Sequence, residues 1–99
     1  MELDPEELSR TFPWLHELWL FPPGEQPAAA LDVLAVAAVP PRQVAPGQRR
    51  RLQAQLELGI DRPIVLRLTT VAQLARWLSG QGRFAASFRR DAVRLFERP

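Results

Sequence analysis

The chain has no cysteine, no lysine and no tyrosine, and only one histidine and one methionine. Without cysteine there is neither a disulfide nor a thiol nucleophile, which agrees with a cytoplasmic location. The lone His16 has no Cys or carboxylate partner at ligand spacing, so it reads as a structural residue. No apolar run approaches the ~20 residues of a membrane span. The first residues include Glu2, Asp4, Glu6 and Glu7, so the start lacks the basic stretch of a secretory signal. The expectation is a cytoplasmic protein that does not enter a membrane.

The missing lysine and tyrosine also explain the isoelectric point of 10.9. All thirteen basic residues are Arg and the net charge is only +2, so little besides Arg titrates at high pH. Distribution carries more meaning than the total. Residues 1–25 hold six acids and a single Arg, whereas residues 42–98 hold twelve Arg and four acids. A chain divided in this way is dipolar and suits an acidic partner. The Arg count itself is what a GC-rich coding sequence would give.

What is present is enough for one domain of 99 residues. Apolar residues make up 46% and charged residues 24%, an ordinary globular balance. Leu3-Asp4-Pro5-Glu6-Glu7-Leu8 predicts a helix start: Asp4 at the N-cap, Pro5 at N1, Glu7 at N3, and Leu3 and Leu8 at the staple positions. The helix runs to about Thr11, where Pro13 disfavours continuation through Phe12. Trp14 to Phe21 reads as a buried strand, and Pro22 to Ala30 as a loop. Leu31 to Ala38 is apolar apart from Asp32, as in a central strand covered on both faces.

Arg49 to Leu58 is expected as a helix with Leu52 and Leu56 inward, the Arg run outward and Gly59 at C′. Ile64 to Leu68 is expected as a third strand. Thr69 or Thr70 then caps a helix with Val71, Leu74, Ala75 and Leu78 on one face, ended by Gly80. Gly82 to Ala86 reads as extended and Arg89 to Glu97 as a closing helix with Val93 and Phe96 inward. The fold class is α/β (α+β): a small mixed sheet of three or four strands flanked by helices.

Several segments, in this order, carry a family pattern: Leu20-Phe21 at the end of the first strand, Leu31-Asp32-Val33-Leu34, Arg62-Pro63-Ile64-Val65-Leu66, Gly82-Arg83-Phe84 and Arg94-Leu95-Phe96-Glu97. In layout along nearly the whole chain the sequence resembles the minimal nucleotidyltransferases of the DNA polymerase β-like superfamily. The resemblance implies a nucleotidyltransferase-like fold and a site built on the acid of the second strand. It also implies a toxin–antitoxin setting, in which such proteins pair with helical RNases of the HEPN type.

The pattern is broken where the chemistry is concentrated. The family's Gly-Ser falls on Pro22-Pro23, and proline offers no N–H to a phosphate. The first acid of the pair falls on Ala30 and the third-strand acid on Val65, and the loop before Asp32 is shorter than the family's. Nucleotidyl transfer needs Mg²⁺ held by carboxylates to bridge the phosphates. Asp32 is the surviving acid, the candidate catalytic and metal residue, and Glu25 in the loop is the second candidate. The expectation is a pseudoenzyme without cofactor that acts by protein–protein interaction with a HEPN-like partner or with its own copies. Phe12, Trp14 and Trp19 are the candidate anchors of that interface. Two alternatives stand beside it. One is an active Mg²⁺-dependent transferase using Asp32 and Glu25. The other is an RNA-binding module on Arg49-Arg50-Arg51, Arg76, Arg83, Arg89 and Arg90, disfavoured because no known RNA-binding signature is present.

Overall fold

The structure is a computed structural model that describes residues 3–21 and 30–98. Helix α1, Pro5–Thr11, begins as its sequence dictates. The Asp4 carboxylate accepts from the backbone N–H of Glu6 at 3.0 Å and of Glu7 at 3.4 Å, satisfying two donors that the first turn leaves open. Leu3 and Leu8 meet the same apolar cluster, as a hydrophobic staple requires.

Four strands follow the order β3-β2-β1-β4 across one sheet. Strand β1 is Leu15–Phe21, β2 is Leu31–Ala37, β3 is Ile64–Thr70 and β4 is Val93–Glu97. β1 runs antiparallel to both neighbours, and β2 and β3 are parallel. A parallel pair needs a crossover. Here it is a short 3-10 turn, Pro41–Gln43, and helix α2, Pro46–Ile60. Helices α3, Val71–Ser79, and α4, Arg83–Asp91, lie between β3 and β4 in the chain. Among the described residues no helix is long and apolar enough to cross a membrane.

The sheet is covered on both faces, which explains the apolar run of β2. Val33 and Ala35 join Leu8, Phe12, Leu18, Leu52, Leu56 and Phe96 beneath α1 and α2. Leu34 and Val36 join Leu74 and Phe88 beneath α3 and α4. Each of these Leu, Val and Phe side chains removed from water contributes roughly 1.5–3 kcal/mol. Only Asp32 on β2 is exposed.

Helix α2 does more than the sequence suggests. It starts at Pro46 rather than Arg49 and continues past Gly59 to Ile60, bringing Ile60 onto the core. Its C-cap is Asp61 at φ 61°, a left-handed position that a short polar side chain tolerates. Residues 49, 53 and 57 form one stripe of this helix. The Arg49 guanidinium donates to Leu66 O at 2.9 Å, and the Gln53 amide donates to Ile64 O at 3.1 Å. Ile64 N–H donates to the Glu57 carboxylate at 3.1 Å. Arg49, from the run expected to face outward, thus joins Gln53 and Glu57 on the outer edge of β3, where another strand could otherwise pair.

The C-terminal segment differs from its expected form. Gly82 is the N-cap of α4, so the piece expected to be extended is the first turn of a helix. The expected closing helix is instead the end of α4 followed by β4. Pairing with β1 decides this: Leu18 lies opposite Phe96, and Phe96 enters the core while Val93 stays exposed. Beyond β4, the Arg98 guanidinium donates to Ser9 Oγ at 2.7 Å, Ser9 O at 3.1 Å, Phe12 O at 2.8 Å and Leu15 O at 2.8 Å. It gives Ser9 O at the end of α1 a donor, adds a second donor to Phe12 O, and ties the segment after β4 to residues 9–15.

Candidate functional site

Asp32 is the second residue of β2, at the end of the sheet where β1 stops and β2 and β3 begin. It lies opposite Phe21 on β1 and opposite Val65 on β3. Strand alternation turns it to the face shared with Leu34, the face covered by α3 and α4. There it lines a cleft of about 850 Å³ with Phe21, Arg67, Trp77, Arg83 and Phe84.

Each of these side chains has a structural reason for its place. Arg67 stands opposite Leu34 in the β2–β3 ladder, so the sheet carries it on the face of Asp32. Arg83 and Phe84 open α4 immediately after the Gly82 cap. Trp77 lies on α3, outside the stripe formed by Leu74 and Leu78. Trp77 and Phe84 stand edge to face with ring centroids 5.4 Å apart. Phe84 continues to Phe21 at 6.3 Å and to Phe88 at 5.9 Å, and Phe88 to Trp19 at 4.7 Å. This chain of rings runs from the core to the rim, where Trp77 and Phe84 remain 41% and 43% exposed. Behind it the Arg94 guanidinium lies 5.7 Å from the Trp19 ring.

Among the described residues, the side chains of Asp32, Arg67 and Arg83 have no hydrogen-bond or ion-pair partner. The cleft therefore presents one carboxylate and two guanidinium groups. Among the described residues there is no group of three or more His, Cys, Asp or Glu side chains. Mg²⁺ takes oxygen donors, typically from carboxylates, and is repelled by guanidinium. The described donor set does not fit a magnesium ion.

The other expected site residues fall elsewhere. Glu25 and the Pro22-Pro23 pair lie outside the described residues, and Ala30 immediately precedes β2. His16 sits on β1 with Nε2 3.5 Å from the Glu17 carboxylate, which also accepts from the Trp19 indole N–H at 2.7 Å. Phe12, expected as an interface anchor, is 0% exposed and belongs to the core. Trp14 is half-buried and donates its indole N–H to Gln48 at 3.2 Å. The arginines expected to form one RNA-binding surface are divided: Arg49, Arg50 and Arg51 belong to α2 on one side of the sheet, and Arg76, Arg83, Arg89 and Arg90 to α3 and α4 on the other. Several are already engaged, Arg49 with Leu66 O, Arg76 with Gln73, Arg89 with Leu78 O and Arg90 with Asp91.

Sequence reasoning placed neither Arg67 nor Trp77 in a site, and it marked Phe84 only as part of the Gly82-Arg83-Phe84 segment. Two signals were present. Arg67 interrupts an apolar strand, and Trp77 is a large aromatic residue off the buried stripe of an amphipathic helix. Comparisons with family models, curated proteins and solved structures find no match to this chain.

Proposed function

We propose that this protein is a nucleotidyltransferase-like pseudoenzyme that works by binding, as the antitoxin-type partner of a HEPN-like helical protein. The observation that carries the reading is the charge around Asp32. Its neighbour across the ladder is Val65, and the cations Arg67 and Arg83 share its cleft. Where a metal-dependent transferase concentrates carboxylates, the described residues here concentrate guanidinium groups. Such a cleft attracts anions and does not hold the ion that would activate an attacking hydroxyl. The acidic N-terminal third, with Glu6 and Glu7 of α1 exposed, adds a charged surface available to a protein partner.

The test pairs activity with association. The protein is incubated with a labelled nucleoside triphosphate, Mg²⁺ and either RNA or the helical protein encoded beside it. The reading expects no label transfer and a stable complex in size-exclusion chromatography. Mg²⁺-dependent labelling abolished by Asp32→Ala would replace it with the enzyme reading, whose support is that Asp32 is solvent-facing and unpartnered among the described residues.

A further inference from the structure

We infer that the cleft is a metal-independent site for a nucleoside monophosphate, with Arg67 and Arg83 holding the phosphate and Trp77 and Phe84 packing on the base. The inference rests on the binding reading of the cleft and is independent of any protein partner.

Size comes first. A cleft of about 850 Å³ falls within the range of small-molecule sites, and its lining is mostly apolar with a few polar groups at fixed places. The polar groups are unusual in being unspent. Most other arginines on this side of the sheet already have a partner: Arg76 with Gln73, Arg89 with Leu78 O, Arg90 with Asp91, and Arg94 with Glu97. The two that line the cleft have none among the described residues. Guanidinium groups in this state match the oxygens of a phosphate in both charge and planar geometry.

The rings define the rest of the ligand. Trp77 and Phe84 leave much of their surface open at the rim although both belong to the aromatic chain that reaches the core. The two rings are nearly perpendicular, so one offers its face and the other its edge to a flat, apolar-faced group lodged at the rim. A phosphate joined to a heteroaromatic base satisfies both halves of the cleft, and neither an inorganic anion nor an uncharged ring does so.

Asp32 limits the number of phosphates. The two guanidinium charges of Arg67 and Arg83 match the two negative charges of a monophosphate dianion, and Asp32 leaves the described lining with one net positive charge. A triphosphate therefore brings more negative charge than these residues neutralise, and Asp32 repels the excess. With a monophosphate in place, Asp32 is an acceptor for a ligand hydroxyl or amino group rather than a metal ligand.

The experiment is calorimetric titration with AMP, GMP, CMP and UMP in EDTA, with inorganic phosphate and ATP as comparisons. The inference expects at least one monophosphate to bind in EDTA, more tightly than either phosphate or ATP. Arg67→Ala and Arg83→Ala should each weaken it about tenfold or more, the loss of a charge-assisted pair. Trp77→Ala should weaken the nucleotide and leave phosphate unaffected. Asp32→Asn should narrow the gap between ATP and the monophosphate. These residues are exposed, and a circular dichroism melt checks that each variant folds. No monophosphate binding in EDTA, or binding unchanged in both arginine variants, would overturn the inference. Label transfer with Mg²⁺ would overturn the proposed function, whereas EDTA binding alone decides this inference, so the two failures are distinguishable.

Discussion

Val65 lies directly opposite Asp32 in the parallel β2–β3 ladder. Adjacent strands are about 4.8 Å apart, so a carboxylate at residue 65 would stand within reach of an ion held by Asp32. Val65 is 46% exposed and fills no core space. Val65→Asp is therefore expected to fold normally and to gain Mn²⁺ affinity of about tenfold or more over the parent, read by calorimetry, because a second oxygen donor joins the first. Unchanged Mn²⁺ affinity would show that the loss of this acid is not what disables the site.

Arg98 holds four carbonyl or hydroxyl oxygens of residues 9–15 with one guanidinium. Hydrogen bonds to a charged group contribute about 1.5–3 kcal/mol each but are not additive within one side chain. Arg98→Ala is expected to cost about 1.5–3 kcal/mol in urea unfolding, the scale of hydrogen bonds to a half-buried charged group. A change below about 0.5 kcal/mol, typical of surface substitutions, would show that the clasp is not a stabilising element.

The α2 stripe on β3 has a different consequence. Arg49→Ala with Gln53→Ala uncovers Leu66 O and Ile64 O on the edge strand. Exposed strand edges pair with other chains. The double variant is expected to lose about 1–3 kcal/mol, as for two modest hydrogen bonds, and to self-associate in light scattering at concentrations where the parent does not.

Much of the fold was legible because local rules and tertiary demands agree there. Asp4 and Pro5 set the start of α1, and the continuous apolar run of β2 marked a strand covered on both sides. Gly80 and Thr70 bounded α3 as expected. The C-terminal end was not legible. Val93 to Glu97 has no local feature strong enough to choose strand over helix, and only pairing with β1, some 75 residues earlier in the chain, decides it. The α2 clamp was hidden for the same reason: a polar stripe on a helix looks the same whether it meets water or an open strand edge. Of the candidate site, Asp32 could be read from its position in an apolar strand. Arg67, Trp77 and Phe84 come from three separate elements, and nothing in their spacing announces that they meet.

Thr69 is the one described buried residue whose side-chain oxygen lacks a partner. It is 4% exposed on β3, opposite Val36. An unsatisfied buried hydroxyl costs about 1–3 kcal/mol relative to an apolar group of the same shape. Thr69→Val is expected to raise stability by about 1 kcal/mol, seen as a higher urea midpoint with the slope unchanged. A loss of stability would mean that the hydroxyl is engaged in solution.

The central claim is that the cleft around Asp32 binds an anion through arginine and has no use for a metal. The most direct measurement is calorimetric titration of the purified protein with AMP and with ATP, each in Mg²⁺ and in EDTA, alongside Asp32→Ala. The account predicts that AMP heat is the same in Mg²⁺ and in EDTA. ATP should bind more weakly than AMP in EDTA, and loss of Asp32 should not abolish its binding. Heat from ATP that appears only with Mg²⁺ and vanishes in Asp32→Ala would contradict the account and make this protein a metal-dependent nucleotide enzyme.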